Sequence, residues 1–384
     1  MSTRKPAIEI KDLYKIYGGN PELKLDRLRS GASGPDEGGG FVALNNINMT
    51  IETGKIFVIM GLSGSGKSTL LRCINRLIDP TAGQILVNGQ DVTKAEKKEL
   101  RQIRSKMIGM VFQHFALLPH MSVIDNVAFG LRIAGVSRKE RRERAGKALE
   151  LVGLSGWDNK KPSNLSGGMR QRVGLARALV MDTPVLLMDE PFSALDPLIR
   201  EEMQQELLRL QSTLNKTIVF VTHDPNEAAT IGDRIAILLK GQVVQEGRPI
   251  DIVLSPASDY VRDFVRSIDV FKVLSAGQVM DAVSPPAGLA NKPISEWTKH
   301  LSKDFVKLAP DDLIAPYLDE LAKEQRALIV AQDDGTPIGM VTTKSILKAL
   351  AAHSSIGGPT SKNDKLKPAT GAVSANPPAE HAAQ

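Results

Sequence analysis

Hydrophobic and polar residues alternate from Ala7 to Tyr17, the period of a half-buried strand. A Gly-, Pro- and Ser-rich stretch then runs to about Gly40 and reads as a mobile insert. Alternation resumes from Phe41 to Thr50, turns at Glu52-Thr53-Gly54, and passes into Lys55 to Met60, an apolar run that predicts a buried strand. A glycine-rich loop comes next. Residues 93–183 are mostly helical in composition, with charged amphipathic segments near 94–106, 137–153 and 169–181. Strand patterns return at Val185 to Met188 and Thr217 to Thr222, with a helical stretch from Asp196 to Leu214 between them. Strand, helix, strand in that order needs crossover connections, so the pattern predicts an α/β fold around a parallel sheet. Short strands after Gly241 and a helix near 258–267 close a large domain over 1–268. A smaller α+β module follows over 269–353, and the Gly, Pro, Ala and Ser-rich remainder, 354–384, has the composition of a disordered tail.

Composition changes this picture little. At 384 residues the chain exceeds one compact domain, and 42% hydrophobic with 24% charged residues excludes disorder for most of it. No stretch approaches the roughly 18 consecutive apolar residues of a membrane span, and the opening Met-Ser-Thr-Arg-Lys-Pro lacks the apolar core of a signal peptide. The net charge of +6 comes from 49 basic against 43 acidic residues, too mild an excess to imply nucleic acid. Its densest basic run, Arg138 to Arg144, interleaves glutamates at helical spacing and reads as a solvated helix face. A lone Cys73 excludes a disulfide framework and a thiolate metal cluster, fits a reducing cytoplasm, and reads as a small buried apolar residue.

The chemistry concentrates in two places. Gly61-Leu-Ser63-Gly64-Ser65-Gly66-Lys67-Ser68, followed by Thr69, has the spacing of a phosphate-binding loop between a strand and a helix. Glycines let backbone N–H groups curl around phosphate oxygens, Lys67 reaches the terminal phosphates, and the Ser68 hydroxyl can hold magnesium. Its partner is the acidic pair that ends Val185-Leu-Leu-Met-Asp189-Glu190: Asp189 for magnesium, Glu190 for a proton from the attacking water. Together these predict hydrolysis of a nucleoside triphosphate.

A second anion-binding helix end lies at Leu165-Ser166-Gly167-Gly168, before a helix whose apolar positions Met169, Val173, Ala176 and Val180 recur at helical spacing. An isolated Ser-Gly-Gly is no more than a helix cap. Beside a complete phosphate loop it resembles the signature of the ATP-binding subunits of ABC transporters. In that family two copies pair head to tail, and each signature covers the nucleotide held by the other copy. The resemblance spans about residues 7–268 and implies further roles. Gln113 resembles the glutamine that senses magnesium and the attacking water. Ser193-Ala-Leu-Asp196 resembles the loop that communicates across the dimer, with Asp196 near nucleotide, and His223 the switch histidine. Tyr17 stands where the family stacks an aromatic on adenine, with Tyr14 the weaker candidate. The cofactors so implied are ATP and Mg2+.

Longer runs narrow the resemblance. Residues 56–70, Phe115 to Val123, Leu165 to Leu179 and Ser193 to Arg200 closely resemble the ATPases of glycine betaine/proline importers, as does the insert after Tyr17. The implied partners are a second copy, integral membrane permease subunits and, indirectly, a solute-binding protein, with no nucleic acid. The implied place is the cytoplasmic face of the inner membrane. An amino-acid importer for histidine or proline, or a choline importer, remains open, and a soluble ABC ATPase acting on nucleic acid is a further alternative. Near the end, Ala327 to Ala331, a turn at Asp334-Gly335, Ile338 to Thr342 and a helix from Lys344 resemble one repeat of a CBS-type module. Two full repeats hardly fit within 269–353. Ser345 stands where adenosine-binding repeats carry Asp, so a regulator of ionic strength and a structural add-on both stay open.

Overall fold

The computed structural model describes residues 5–31, 39–113, 116–282, 305–323, 327–332 and 334–354. The chain opens with β1 (Pro6–Tyr17), α1 (Pro21–Ser30), β2 (Phe41–Glu52), β3 (Ile56–Met60), α2 (Lys67–Ile74), β4 (Ala82–Val87) and β5 (Gln90–Asp91). Then come α3 (Lys97–Lys106), β6 (Ile108–Val111), α4 (Val123–Val127), α5 (Phe129–Ile133), α6 (Arg138–Leu151) and α7 (Gly167–Leu179). The second half of the large domain holds β7 (Val185–Asp189), α8 (Pro197–Leu214), β8 (Thr217–Thr222), α9 (Pro225–Ile231), β9 (Arg234–Leu239), β10 (Gln242–Gly247), α10 (Pro249–Leu254) and α11 (Asp259–Val265).

A six-stranded sheet in the order β10-β9-β3-β8-β7-β6 forms the centre, parallel except where β10 pairs antiparallel with β9. A four-stranded antiparallel sheet, β2-β1-β4-β5, covers one of its faces. The helices α2 and α3 pack on that same side, with Leu70, Ile74 and Ile103 in its core, and the helices from α4 to α11 cover the other. Side chains on successive strand residues point to opposite faces, so a strand covered on both sides must be apolar throughout. In β3, Ile56, Val58 and Met60 join the helix-side core while Phe57 and Ile59 join the core beneath the antiparallel sheet. The same division separates Ile218 and Phe220 from Val219 and Val221 in β8, and Leu186 and Met188 from Leu187 in β7. This is the parallel sheet with crossover helices that the sequence predicts.

Three features differ from the pattern or add to it. Part of the insert after Tyr17 is ordered: Asn20 caps α1 by accepting the Leu23 N–H (3.2 Å), and buried Leu25 packs with Tyr14 and Ile16. Residues 32–38 of that insert lie outside the described residues. Within the helical stretch 93–183 sits β6, a four-residue edge strand too short and too glycine-broken to stand out, yet aligned parallel along β7. The solvated reading of Arg138 to Arg144 fits α6, which buries only Ala145, Ala148 and Leu149 and pairs Arg144 with Glu140 (3.6 Å) and Lys147 with Glu143 (2.8 Å).

The C-terminal module holds α12 (Ala276–Val279), β11 (Asp281–Ala282), β12 (Phe305–Leu308), α13 (Leu318–Ala322), β13 (Ala327–Ala331), β14 (Pro337–Val341) and α14 (Thr343–Ser354). Its sheet runs β11-β14-β13-β12, and the strand, turn, strand, helix order of its last part is the one read from the sequence. Val273, Leu274, Ile314, Leu328 and Ile346 belong to the same apolar core as the helix side of the large domain. The Asp269 N–H donates to Oδ1 of Asn226 (3.1 Å), in the first turn of α9. Of the expected tail, 354–384, Ser354 ends α14 and the remainder lies outside the described residues.

Candidate nucleotide site

The loop between β3 and α2 is shaped by close backbone approach. A Cβ on Gly61 (φ +153°) would sit 2.4 Å from the Leu238 carbonyl oxygen, and one on Gly66 (φ +104°) 2.5 Å from that of Ala43, so both positions require glycine. Gly64 (φ +79°) faces open space. No side chain caps α2 at Gly66, which leaves the partial positive charge of the helix N-terminus to a ligand. Lys67 is buried, and its Nζ donates to the carbonyl oxygens of Gly61 (2.8 Å) and Leu62 (3.0 Å). Burial pushes its pKa down, while the charges of Glu190 and Asp189 push it back up. The Ser65 hydroxyl is buried without a hydrogen-bond partner among the described residues.

At the end of β7, buried Asp189 accepts hydrogen bonds from Ser68 Oγ (2.8 Å) and Arg72 Nη2 (3.2 Å). Glu190 follows in the left-handed region at φ +43°, a conformation costing a non-glycine residue about 1–3 kcal/mol. Its N–H donates to the Val221 carbonyl oxygen (3.1 Å), and its own carbonyl oxygen accepts from Ser193 Oγ (3.0 Å), so the turn is held from both sides. The kink aims its carboxylate at three groups: His223 Nδ1 (3.0 Å), Gln113 Nε2 (3.5 Å) and Lys67 Nζ (4.0 Å). A carboxylate only accepts, so the proton of that imidazole contact belongs on Nδ1.

These groups meet in a cleft of about 570 Å3 whose lining includes the loop residues Ser63, Gly64 and Gly66 to Thr69, together with Gln113, Glu190 and His223. Backbone donors and a buried cation suit a chain of phosphates. Among the described residues no cluster of three or more His, Cys, Asp or Glu side chains is arranged to hold a metal ion. A cation held by Asp189 and Ser68 would complete its shell with water and phosphate oxygens, the usual manner of Mg2+.

Other candidates lie apart from the cleft. Ser166 and Asp196 are exposed N-caps, accepting the N–H groups of Met169 (3.3 Å) and Ile199 (3.1 Å). Gly167 and Gly168 begin α7, and a Cβ on Gly168 would stand 2.6 Å from Ile199 Cγ2. None of the four lines the cleft. Tyr17 ends β1 with Lys15 Nζ 4.8 Å over its ring, while Tyr14 is buried beneath the Arg29 guanidinium (5.4 Å). The aromatic that does line the cleft is exposed Phe41, paired directly across the sheet from Tyr17. Sequence reasoning passed over Phe41 and Arg72. The former needs the β1–β2 register, and the latter's place one turn beyond Ser68 on α2 was the available signal.

Comparison with known proteins gives the family. The ABC transporter family matches residues 44–193. The chain is similar to the glycine betaine/proline betaine transport system ATP-binding protein ProV of Escherichia coli, 53% identical over 288 residues, covering 74% of this chain and 72% of the relative. It is also similar to the trimethylamine N-oxide transport system ATP-binding protein TmoW of Pelagibacter ubique, 42% identical over 344 residues, 89% of this chain and 96% of the relative. Among solved structures, a dimeric ATP-binding cassette in a post-hydrolysis state, bound to ADP and Pi, matches with a TM-score of 0.54 and 36% identity, over 63% of this chain and 98% of that one. No helix among the described residues is long and apolar enough to cross a membrane. With its phosphate loop, acidic pair and two-sided sheet, this chain belongs to the ATP-binding subunits of ABC transporters, in the group that contains the glycine betaine/proline betaine proteins.

Proposed function

We propose that this chain is the ATP-hydrolysing subunit of an importer for glycine betaine, proline betaine or a related quaternary amine, bound through its permease to the cytoplasmic face of the inner membrane. The observation that carries this reading is the 53% identity to a glycine betaine/proline betaine ATP-binding protein across 74% of this chain, over a span that keeps Glu190 and His223 in contact at 3.0 Å. When bound, MgATP supplies the phosphoanhydride whose cleavage drives the cycle. Lys67 and the N-terminus of α2 hold the phosphate charge, with Gly61, Ser63, Gly64, Ser65, Gly66 and Thr69 shaping the cradle. Ser68 and Asp189 hold the cation, joined by Gln113. Glu190 takes the proton from the attacking water, a role worth about two to four decades in rate, while His223 and Gln113 orient its carboxylate. Tyr17 stacks on the base beside its cross-strand partner Phe41, the aromatic that lines the cleft. Ser166, Gly167, Gly168 and Asp196 serve the nucleotide of a second copy, which accounts for their absence from this chain's own cleft.

A second cargo has a specific observation in its favour. The trimethylamine N-oxide relative aligns over 344 residues, 89% of this chain, against 288 residues and 74% for the glycine betaine/proline betaine relative, so its match takes in more of the C-terminal module. The deciding experiment is ATP turnover by this chain assembled with its permease and solute-binding protein in proteoliposomes. Stimulation by glycine betaine exceeding that by trimethylamine N-oxide, choline, proline or histidine supports the first reading. Stimulation by trimethylamine N-oxide alone replaces it with the second, and a rise with ionic strength gives the C-terminal module a regulatory task.

A further inference from the structure

Two side chains of α8, one turn apart, reach the start of α9. Arg200 donates from Nη1 to Asp224 Oδ2 (3.4 Å) and from Nη2 to the Leu195 carbonyl oxygen (3.2 Å), inside the Ser193–Asp196 loop. Gln204 donates to Glu227 Oε1 (3.3 Å), both side chains being buried. Asp224 in turn caps α9 by accepting the N–H groups of Asn226 (2.9 Å) and Glu227 (3.3 Å), and its own N–H donates to Thr222 Oγ1 (3.0 Å). Thr222 and Asp224 are the residues on either side of His223.

One guanidinium thus spans two loops with different tasks. Its Nε is buried without a hydrogen-bond partner among the described residues, a desolvation cost that a lysine would not incur. The two bonds leave from different nitrogens, Nη1 and Nη2, whose separation the planar guanidinium fixes, and a single ammonium does not reproduce that geometry. We propose that Arg200 is a positioning residue for hydrolysis, fastening the Ser193–Asp196 loop to the segment bearing His223 so that the two shift as one body when a second copy closes. This inference rests on the roles proposed above for Glu190, His223 and the second copy.

The test is steady-state ATP turnover by the full-length chain, with nucleotide affinity and thermal midpoint measured alongside, for Arg200→Gln, Arg200→Lys, Asp224→Asn and the double variant Arg200→Gln/Asp224→Asn. Arg209→Gln, on the exposed face of the same helix, is the control. The expected result is a kcat lower by about tenfold to a hundredfold in Arg200→Gln, the scale of a misplaced catalytic group, with nucleotide affinity and thermal midpoint unchanged. Arg200→Lys falls between, and the double variant is no slower than the slower single one, since both remove the same tie. A kcat equal to that of Arg209→Gln overturns the proposal. So does a loss of kcat that merely follows a loss of affinity or thermal midpoint. Glu190→Gln, run in parallel, separates the two levels: if it turns over ATP at the unaltered rate, the site reading fails; if it is dead while Arg200→Gln is normal, only the positioning role fails.

Discussion

Glu190 is the residue on which most of the site depends. Its left-handed backbone and contacts with His223 and Gln113 orient a carboxylate that Gln can imitate in shape but not in basicity. Glu190→Gln is expected to lower turnover by about two decades or more while leaving nucleotide affinity intact, measured by phosphate release against fluorescent-nucleotide titration. Lys67→Ala acts on binding instead. Removing a buried charge-assisted donor weakens nucleotide affinity by about tenfold to a hundredfold, and equal affinity in the two proteins would contradict its role. Cys73 behaves as its apolar neighbours do. It is fully buried, burial pushes its thiol up to about 12, and thiol reagents are expected to leave the native chain unmodified.

At the scale of elements, the central strands carry the stability. Phe220 is fully buried in the middle of β8, its ring 5.5 Å from that of Phe192, and Phe220→Ala is expected to cost about 3–5 kcal/mol in urea unfolding. The α8–α9 seam has a pH signature. Burial raises the pKa of Glu227, with Asp224 adding to the shift, against lowering by Thr222, Gln204 and Arg200. A raised acid favours the folded state at low pH and loses that contribution as pH climbs from the ordinary glutamate range through the folded value. Glu227→Gln removes this slope, so its stability relative to the unaltered chain is expected to rise from pH 5 to pH 8. Strands such as β3, β7 and β8 were legible because burial on both faces leaves an unbroken apolar run. β6 was not, since Ile108-Gly-Met-Val111 is four residues long and only its pairing along β7 makes it a strand. α1 had its signal in Asn20-Pro21-Glu22, a cap followed by proline, masked by the glycines on either side.

For the whole molecule, the phosphate loop and acidic pair were legible because their chemistry fixes residue type and spacing, whereas Phe41 enters the cleft only through a cross-strand register that one strand's sequence does not contain. Because Ser166 is exposed and away from the cleft, its proposed role in pairing can be tested apart from nucleotide binding. Ser166→Arg in a Glu190→Gln background is expected to leave the monomer's nucleotide affinity unchanged and to abolish ATP-induced dimers in sedimentation; dimers that persist would place the pairing surface elsewhere. The bond from the Asp269 N–H to Asn226 has a different consequence, a thermodynamic one. Asn226 lies three residues beyond His223, so a nucleotide state that displaces the start of α9 also loads or relaxes the junction to the C-terminal module. Free energies of this kind are reciprocal. Any factor that a ligand of the module were to impose on nucleotide affinity, nucleotide would impose in turn on that ligand's affinity.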